Sequence, residues 1–370
     1  MGGHCHGSGG RLIMTGKERF HAIVGRASDQ CGFWHGNPNS ASIEKLYTYF
    51  KVENDFELGL RLGSHCRWVM PEKCGMWTRT DMPMFDVLGG KKRTTLSEAG
   101  VFAQELDAIA VTKGPGLVGA VLIGLASAKA MAFALGKPLV GVHHIHGHIC
   151  AALIEHPELA PPFLALVVSG GHTSLVDVRG LTGEPGDMTV LGSTRDDAAG
   201  EAYDKVARVL GLGYPGGPQV DALATAGDPT AAKFKRVMLE EGSLDFSFSG
   251  LKTGVLNYVN TKKQAGIPVA PADIAAGFQD AVVDVLSAKT FAALAVTGHK
   301  NLVVCGGVAA NRALRARLES DAKKANILLY IPSPIYCTDN AAMIACAGHY
   351  RHIAGFTDSL SLDAHATLPL

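Results

Sequence analysis

From about residue 105 onward, long helical patterns alternate with short β-rich runs, the signature of an α/β fold. Residues 107–112 (DAIAVT) read as a buried strand, Gly114-Pro115-Gly116 as a turn, and Val118–Leu135 as a helix ended by Gly136. Residues 138–142 are a strand that delivers a histidine-rich segment at the start of the next helix. Residues 163–169 and Thr173–Val178 are two strands joined by Gly170-Gly171-His172 as a hairpin. A helix over 197–210 carries small residues on one face, and a long helix covers 271–296. Asn301–Cys305 is a strand, followed by Gly306-Gly307 and a basic helix over 309–326. Residues 327–331 form the last strand and 338–354 the last helix.

The composition changes near residue 105. All three Trp (Trp34, Trp68, Trp77) and six of the ten Met precede it, and the chain beyond is rich in Ala, Gly, Val and Leu. Two regions are therefore expected, 1–104 and 105–370. A chain of 370 residues, 47% hydrophobic and 18% charged, has room for a large core and is no disordered protein. Net charge is zero, so nucleic-acid binding would need a local basic patch. The 8 Cys include no Cys-x-x-Cys pair, and the first residues are Gly/His-rich rather than apolar. Reduced thiols and a cytoplasmic location are expected. The nearest approach to a membrane span, 117–135, is interrupted by Gly119, Gly124 and Lys129.

The segment VHHIHGHIC puts His144 and His148 four residues apart. On a helix both imidazoles share one face, about one turn apart, and two such His can grip one divalent metal. Asp339, in CTDNAAMIA, is the candidate third ligand; its plainer role is a helix N-cap, and the two are compatible. His143, His146 and His172 could orient those ligands or replace them. The zinc-protease pattern is absent, because Ile145 rather than Glu follows His144. VVSGGHTSL could let backbone amides approach a phosphate, or be an ordinary hairpin. CGGVAANRALR offers a helix N-terminus to an anion, with Asn311 free for a ribose or base, or is a plain βα turn. Asp204 sits inside a helix ahead of a Pro-Gly-Gly-Pro loop, and DFSFSGLKTG reads as a helix start with Ser caps.

Six ordered stretches closely resemble one family: AVTKGPGLVGAVLIGLASAKAMAFALGKPLVGVHHIHGH, LALVVSGGHTSL, DDAAGEAYDKVARVLGLGYPGGP, DFSFSGLKTGV, CGGVAANRALR and CTDNAAMIA. That family is the bacterial tRNA threonylcarbamoyladenosine transferases, long labelled O-sialoglycoprotein endopeptidases. The resemblance implies an actin/sugar-kinase/Hsp70-like (ribonuclease H-like) α/β fold of two lobes around a nucleotide cleft. It implies a metal, iron or zinc, on His144, His148 and Asp339. It places threonylcarbamoyl-AMP against Val167, Val168, Ser169, Gly170 and Gly171, with Asp204, Gly217, Asp221 and Asn311 near its ribose and base. The N6 amine of the adenosine beside the anticodon would attack the carbamoyl carbonyl, and AMP would leave. The implied partners are tRNA and the family's small TsaB-like and TsaE-like proteins. The basic helix with Arg312, Arg315, Arg317, Lys323 and Lys324 is either a tRNA contact or a solvated face.

Two departures stand out. The family's opening strand and Gly-Ile-Glu-Thr-Ser-Cys-Asp-Glu-like loop have no counterpart here, which leaves the first lobe incomplete. Residues 14–103 instead resemble the N-terminal piece of a uroporphyrinogen-decarboxylase-like protein, too short to close a TIM barrel. His146 stands where the family often has Glu. The chain thus reads as a chimera. The alternatives to a working transferase are an inactive chimera that keeps metal, adenylate or partner binding, and a metalloprotease.

Overall fold

The computed structural model describes residues 103–236 and 242–370. The decarboxylase-like segment expected within 1–104 lies, except for Ala103 and Gln104, outside the described residues. The chain divides into two units: Met1–Ile109 with Ile123–Leu139, and Ala110–Leu122 with Val140–Leu370.

The described part of the first unit is a 3-10 turn, Ala103–Glu105, and most of helix α1, Val118–Leu135. Gly119, Gly124 and Lys129 do not interrupt α1, because single glycines cost a helix only ~1 kcal/mol each. Among the described residues α1 alone is long and apolar enough to cross a membrane, by length and composition. Only 17% of it is buried, and Met131 and Phe133 are exposed.

The second unit holds two sheets. The smaller pairs β1 (Ile109–Gly114) with β2 (Leu139–His143), and β2 runs directly into α2 (His144–Cys150). The larger has five strands: β3 (Phe163–Val168), β4 (Thr173–Val178), β5 (Met188–Ser193), β6 (Asn301–Cys305) and β7 (Leu328–Tyr330). Their spatial order is β5-β4-β3-β6-β7. The first three form an antiparallel meander; β6 lies parallel to β3, and β7 parallel to β6. β3 is FLALVV with every residue buried, as a central strand covered on both faces requires. β5 escapes the sequence pattern because it is an edge strand with exposed Thr189 and Val190.

Seven helices complete the described residues: α3 (Ala199–Val209), α4 (Gly216–Ala224), α5 (Ser249–Gln264), α6 (Pro271–Thr297), α7 (Arg312–Ala325), α8 (Pro334–Cys337) and α9 (Ala341–Ile353). α6 starts with Pro at its first position and ends at Gly298 in the left-handed conformation, φ 72°. Its Phe278, Val282, Val285 and Leu286 join Leu164, Leu166, Val304 and Tyr203 in one core. Three boundaries differ from the sequence reading. The expected Pro-Gly-Gly-Pro loop is the first turn of α4. Residues Gly307–Ala310 are 3-10, so the basic helix starts only at Arg312. Ser247 and Ser249 do not cap α5; their hydroxyls both donate to Asp196, at 2.6 Å.

Candidate functional site

The metal-type cluster starts from the way β2 enters α2. His143 is the N-cap: its Nδ1 accepts the Ile145 amide at 3.2 Å, and its Nε2 lies 3.0 Å from the Leu368 carbonyl oxygen. That anchor sets the phase of the helix. His144 and His148 then stack edge to face, ring centroids 4.7 Å apart. Helix α9 can approach this face because position 147 is glycine; a Cβ there would lie 2.7 Å from Ile344 Cδ1.

The residue facing the two rings is Asp339, whose Oδ1 is 3.1 Å from His148 Nε2 and 3.5 Å from His144 Nε2. The three donor atoms lie within 4.8 Å of one another. Asp339 is free for this because the N-cap of α9 is its neighbour: Asn340 Oδ1 accepts the Met343 amide at 2.8 Å. The imidazole of His144, and then that of His148, hold the Asp339 carboxyl well below the usual carboxylate range. His148 is fully buried, yet neither ring nitrogen makes an aligned hydrogen bond. His146 shares that lack of aligned hydrogen bonds, so it is the common carboxylate of Asp339 that sets the His144/His148 pair apart. Two imidazole nitrogens and a carboxylate oxygen are a donor set that fits one divalent metal ion.

The other two histidines of the segment play different parts. His146 points away into the protein, close to Gly183. Burial first, and then the charge of Arg351, lower its pKa to about 4. The pKa of His172, in the β3–β4 turn, is lowered by burial first and then by His144 and His148.

The glycine turns meet at the C-terminal ends of the parallel strands β3 and β6, where open α/β sheets place ligands. Val167 and Val168 are buried in β3, so only their backbone faces the turns. The β3–β4 turn braces itself: Ser169 N donates to the His172 carbonyl at 2.8 Å, and His172 N donates to Ser169 Oγ at 3.1 Å. Gly170 and Gly171 are exposed, and their amides donate no hydrogen bond among the described residues. Gly306 sits at φ 93° with its Cβ position 2.4 Å from the Val168 carbonyl oxygen, so only glycine fits. A Cβ on Gly307 would lie 4.0 Å from Cγ2 of Thr338, the residue next to Asp339.

The expected ribose-side residues are partly engaged. Asp204 Oδ1 accepts the Gly216 amide at 2.7 Å and so holds the start of α4. Gly217 has open space around it. Asp221 binds Arg312 Nε through Oδ2 at 2.7 Å, while its Oδ1 is buried without a partner. Asn311 is not free for a ligand as expected. Its Oδ1 caps α7 at the Leu314 amide, 2.9 Å, and its amide donates to Gln279 Oε1 at 2.7 Å. The reading of α7 as a tRNA surface also meets an obstacle. Arg312 and Arg317 pair with aspartates, and Arg315 donates to the Ala309 and Pro332 carbonyls.

Sequence reasoning missed Asp196. It accepts the Ser247 and Ser249 hydroxyls and the Phe248 and Ser249 amides, and so ties α5 to the loop before α3. Paired serines flanking an apolar residue, without a capping acid of their own, were the available signal.

The sheet order and the ligand end of the sheet define an actin/sugar-kinase/Hsp70-like, ribonuclease H-like α/β protein. A solved HypF from T. kodakarensis shares the fold, at TM-score 0.50 and 16% identity, over 69% of this chain and 42% of that one. The sequence profile of TsaD, tRNA N6-adenosine threonylcarbamoyltransferase, matches residues 92–346, starting ahead of the boundary expected at residue 105. A tRNA N6-adenosine threonylcarbamoyltransferase of Clostridium beijerinckii is 51% identical over 278 residues, 75% of this chain and 81% of that protein. One of Moorella thermoacetica is 52% identical over 275 residues, 74% and 79%. The chain belongs to the tRNA N6-adenosine threonylcarbamoyltransferase family.

Proposed function

We propose that this chain transfers the threonylcarbamoyl group from threonylcarbamoyl-AMP to N6 of the adenosine 3′ of the anticodon, in tRNAs reading ANN codons. The observation that carries the reading is one of place. His144 and the buried His148 both face one carboxylate oxygen of Asp339, beside a turn whose Gly170 and Gly171 amides are unused. His144 and His148 would hold a metal through Nε2 and Asp339 through Oδ1. The mixed histidine and carboxylate set suits iron or zinc. When bound, the metal supplies Lewis-acid polarisation and a template for the adenylate.

The chain's own groups do the rest. Gly170 and Gly171 donate their amides to the adenylate phosphate and stabilise the charge that grows there. Asp221 Oδ1 accepts a ribose hydroxyl, with Arg312 holding the carboxylate in place. Asp204 and Asn311 act by positioning, the first through α4 and the second through Gln279 and α7. The N6 amine forms a bond to the carbamoyl carbon. The bond from that carbon to the phosphate oxygen breaks, AMP leaves with the electron pair, and the amine sheds one proton. Small TsaB-like and TsaE-like partners and a cytoplasmic location follow from the same reading. A metalloprotease finds no support, since the position after His144 is the buried Ile145.

A second reading rests on the family's opening loop, which has no counterpart in this sequence: binding of metal, adenylate or a partner without transfer. Incubating the purified full chain with tRNA and threonylcarbamoyl-AMP, and counting modified adenosine by nucleoside mass spectrometry, separates the two. Modification above the enzyme-free background is expected. A folded, metal-bearing chain that leaves tRNA unmodified establishes the second reading instead.

A further inference from the structure

A chain with 34 basic and 34 acidic residues has no overall field for a polyanion, so its contact must be local. α7 carries the densest run of cations, but its arginines are already paired with aspartates or backbone carbonyls. Uncommitted cations gather elsewhere. Lys252, Lys262 and Lys263 lie on α5, and Lys233 and Lys235 on the segment 231–236; none makes an ion pair or hydrogen bond among the described residues. The remaining cations whose side chains make neither an ion pair nor a hydrogen bond among the described residues, Lys113, Lys129, Lys137, Arg208, Lys300 and Lys323, each stand on a separate element or loop.

Segment and helix form one surface. The Tyr258 hydroxyl donates to the Ala231 carbonyl at 3.3 Å, and its ring meets that of Phe234 with centroids 5.8 Å apart. Lys262 Nζ lies 5.5 Å from the Tyr258 ring centroid. No carboxylate falls within 229–236 or 246–272; Glu240 and Glu241 lie between the two stretches in sequence, Asp280 and Asp284 pair with Arg236, and Asp245 is occupied by Arg195 and the Ser193 amide. The surface also has a fixed starting point. Asp196 holds the first turn of α5 through Phe248 and Ser249. The next helix, α3, donates its Gly200 amide to the Ser169 carbonyl in the adenylate turn, at 3.2 Å. From Lys252 to Lys263 the helix advances about 16 Å at ~1.5 Å per residue.

We propose that α5 and the segment 231–236 form a phosphate-backbone contact for tRNA that runs outward from the adenylate turn. This rests on the transferase reading, which supplies the RNA. Lysine ammonium groups bind phosphates without reading sequence, so affinity should be strongly salt-dependent.

The test is tRNA binding by the full chain across a salt series, with transfer measured separately. The probe is an unmodified transcript with adenosine 3′ of the anticodon. In the fourfold variant Lys233→Gln, Lys235→Gln, Lys262→Gln, Lys263→Gln, the slope of log affinity against log salt should fall by about 3, at ~0.7–0.9 per phosphate contact. Affinity at low salt should drop about tenfold or more. The same four positions changed to Arg should restore both, since Arg also binds phosphate. A wild-type thermal midpoint in the Gln variant excludes misfolding; if that variant does not fold, the four single Gln variants, each shedding a part of the slope, carry the test. Wild-type slope and affinity in the Gln variants, no tRNA binding by the wild type, or tighter capture by anionic vesicles than by tRNA each overturn the proposal. Wild-type transfer with unchanged binding in the variants overturns the surface alone. Salt-dependent binding without transfer overturns the transferase reading and leaves the surface standing.

Discussion

The two faces of α2 carry the same residue type and come to opposite ends. His144 and His148 look toward Asp339, their Nε2 atoms 3.5 and 3.1 Å from its Oδ1. His143 and His146 look into the protein, where His143 caps the helix and His146 packs near Gly183. One or two positions along the chain separate an imidazole that faces a carboxylate from one packed in the interior. The element opposite makes the difference: Asp339 ahead of α9 on one side, the loop around Gly183 on the other.

The largest break in this comparison comes from changing one histidine on each face. His148→Ala should reduce affinity for iron or zinc by about 100-fold or more, because a tetrahedral-type site loses one of its three protein ligands. His146→Leu should leave metal affinity within about threefold of wild type, since His146 lies on the other face of the helix. Metal titration of both variants checks this. Equal losses would show that the helix as a whole, rather than one face, binds metal.

A smaller effect separates the faces by pH. Burial above all lowers the pKa of His143 and of His146 from 6.5 to about 4. In the unfolded chain both take up a proton as pH falls through about 6.5, while in the fold they stay neutral down to about 4. Their contribution is therefore complete above pH ~6.5 and is lost as pH falls toward 4, at about 3 kcal/mol each. Denaturant unfolding of metal-free protein at a series of pH values should show this slope, shallower in His146→Leu. An identical slope in that variant would mean that His146 takes no part.

The smallest change concerns the cap. His143→Ala should cost about 1 kcal/mol, the usual worth of a side-chain N-cap, without abolishing metal binding. Loss of metal with little loss of stability would place His143 among the ligands.

Much of this was legible in the sequence, for identifiable reasons. The buried strands β3 and β6 announced themselves by unbroken apolar runs, and α1 and α6 by length. The His144/His148 spacing is local, so helical geometry alone puts the pair on one face. Asp339 could be chosen only by resemblance, because its place depends on α9 meeting α2 across Gly147. Apart from the i,i+4 pair of Arg317 with Asp321, the partners of Asn311, Arg312 and Arg317 lie far away in sequence, at Gln279, Asp221 and Asp284, and no local pattern shows them. For the same reason the sequence pointed to α7 as the basic surface: counting charges does not reveal which are already paired.

The most direct test of the central claim is the metal content of the full chain, purified after iron or zinc loading, beside the Asp339→Asn and His148→Ala variants. The account predicts about one ion per wild-type chain, and far less in each variant with the fold intact by circular dichroism. Equal metal in all three proteins, or none in a folded wild type, would contradict it.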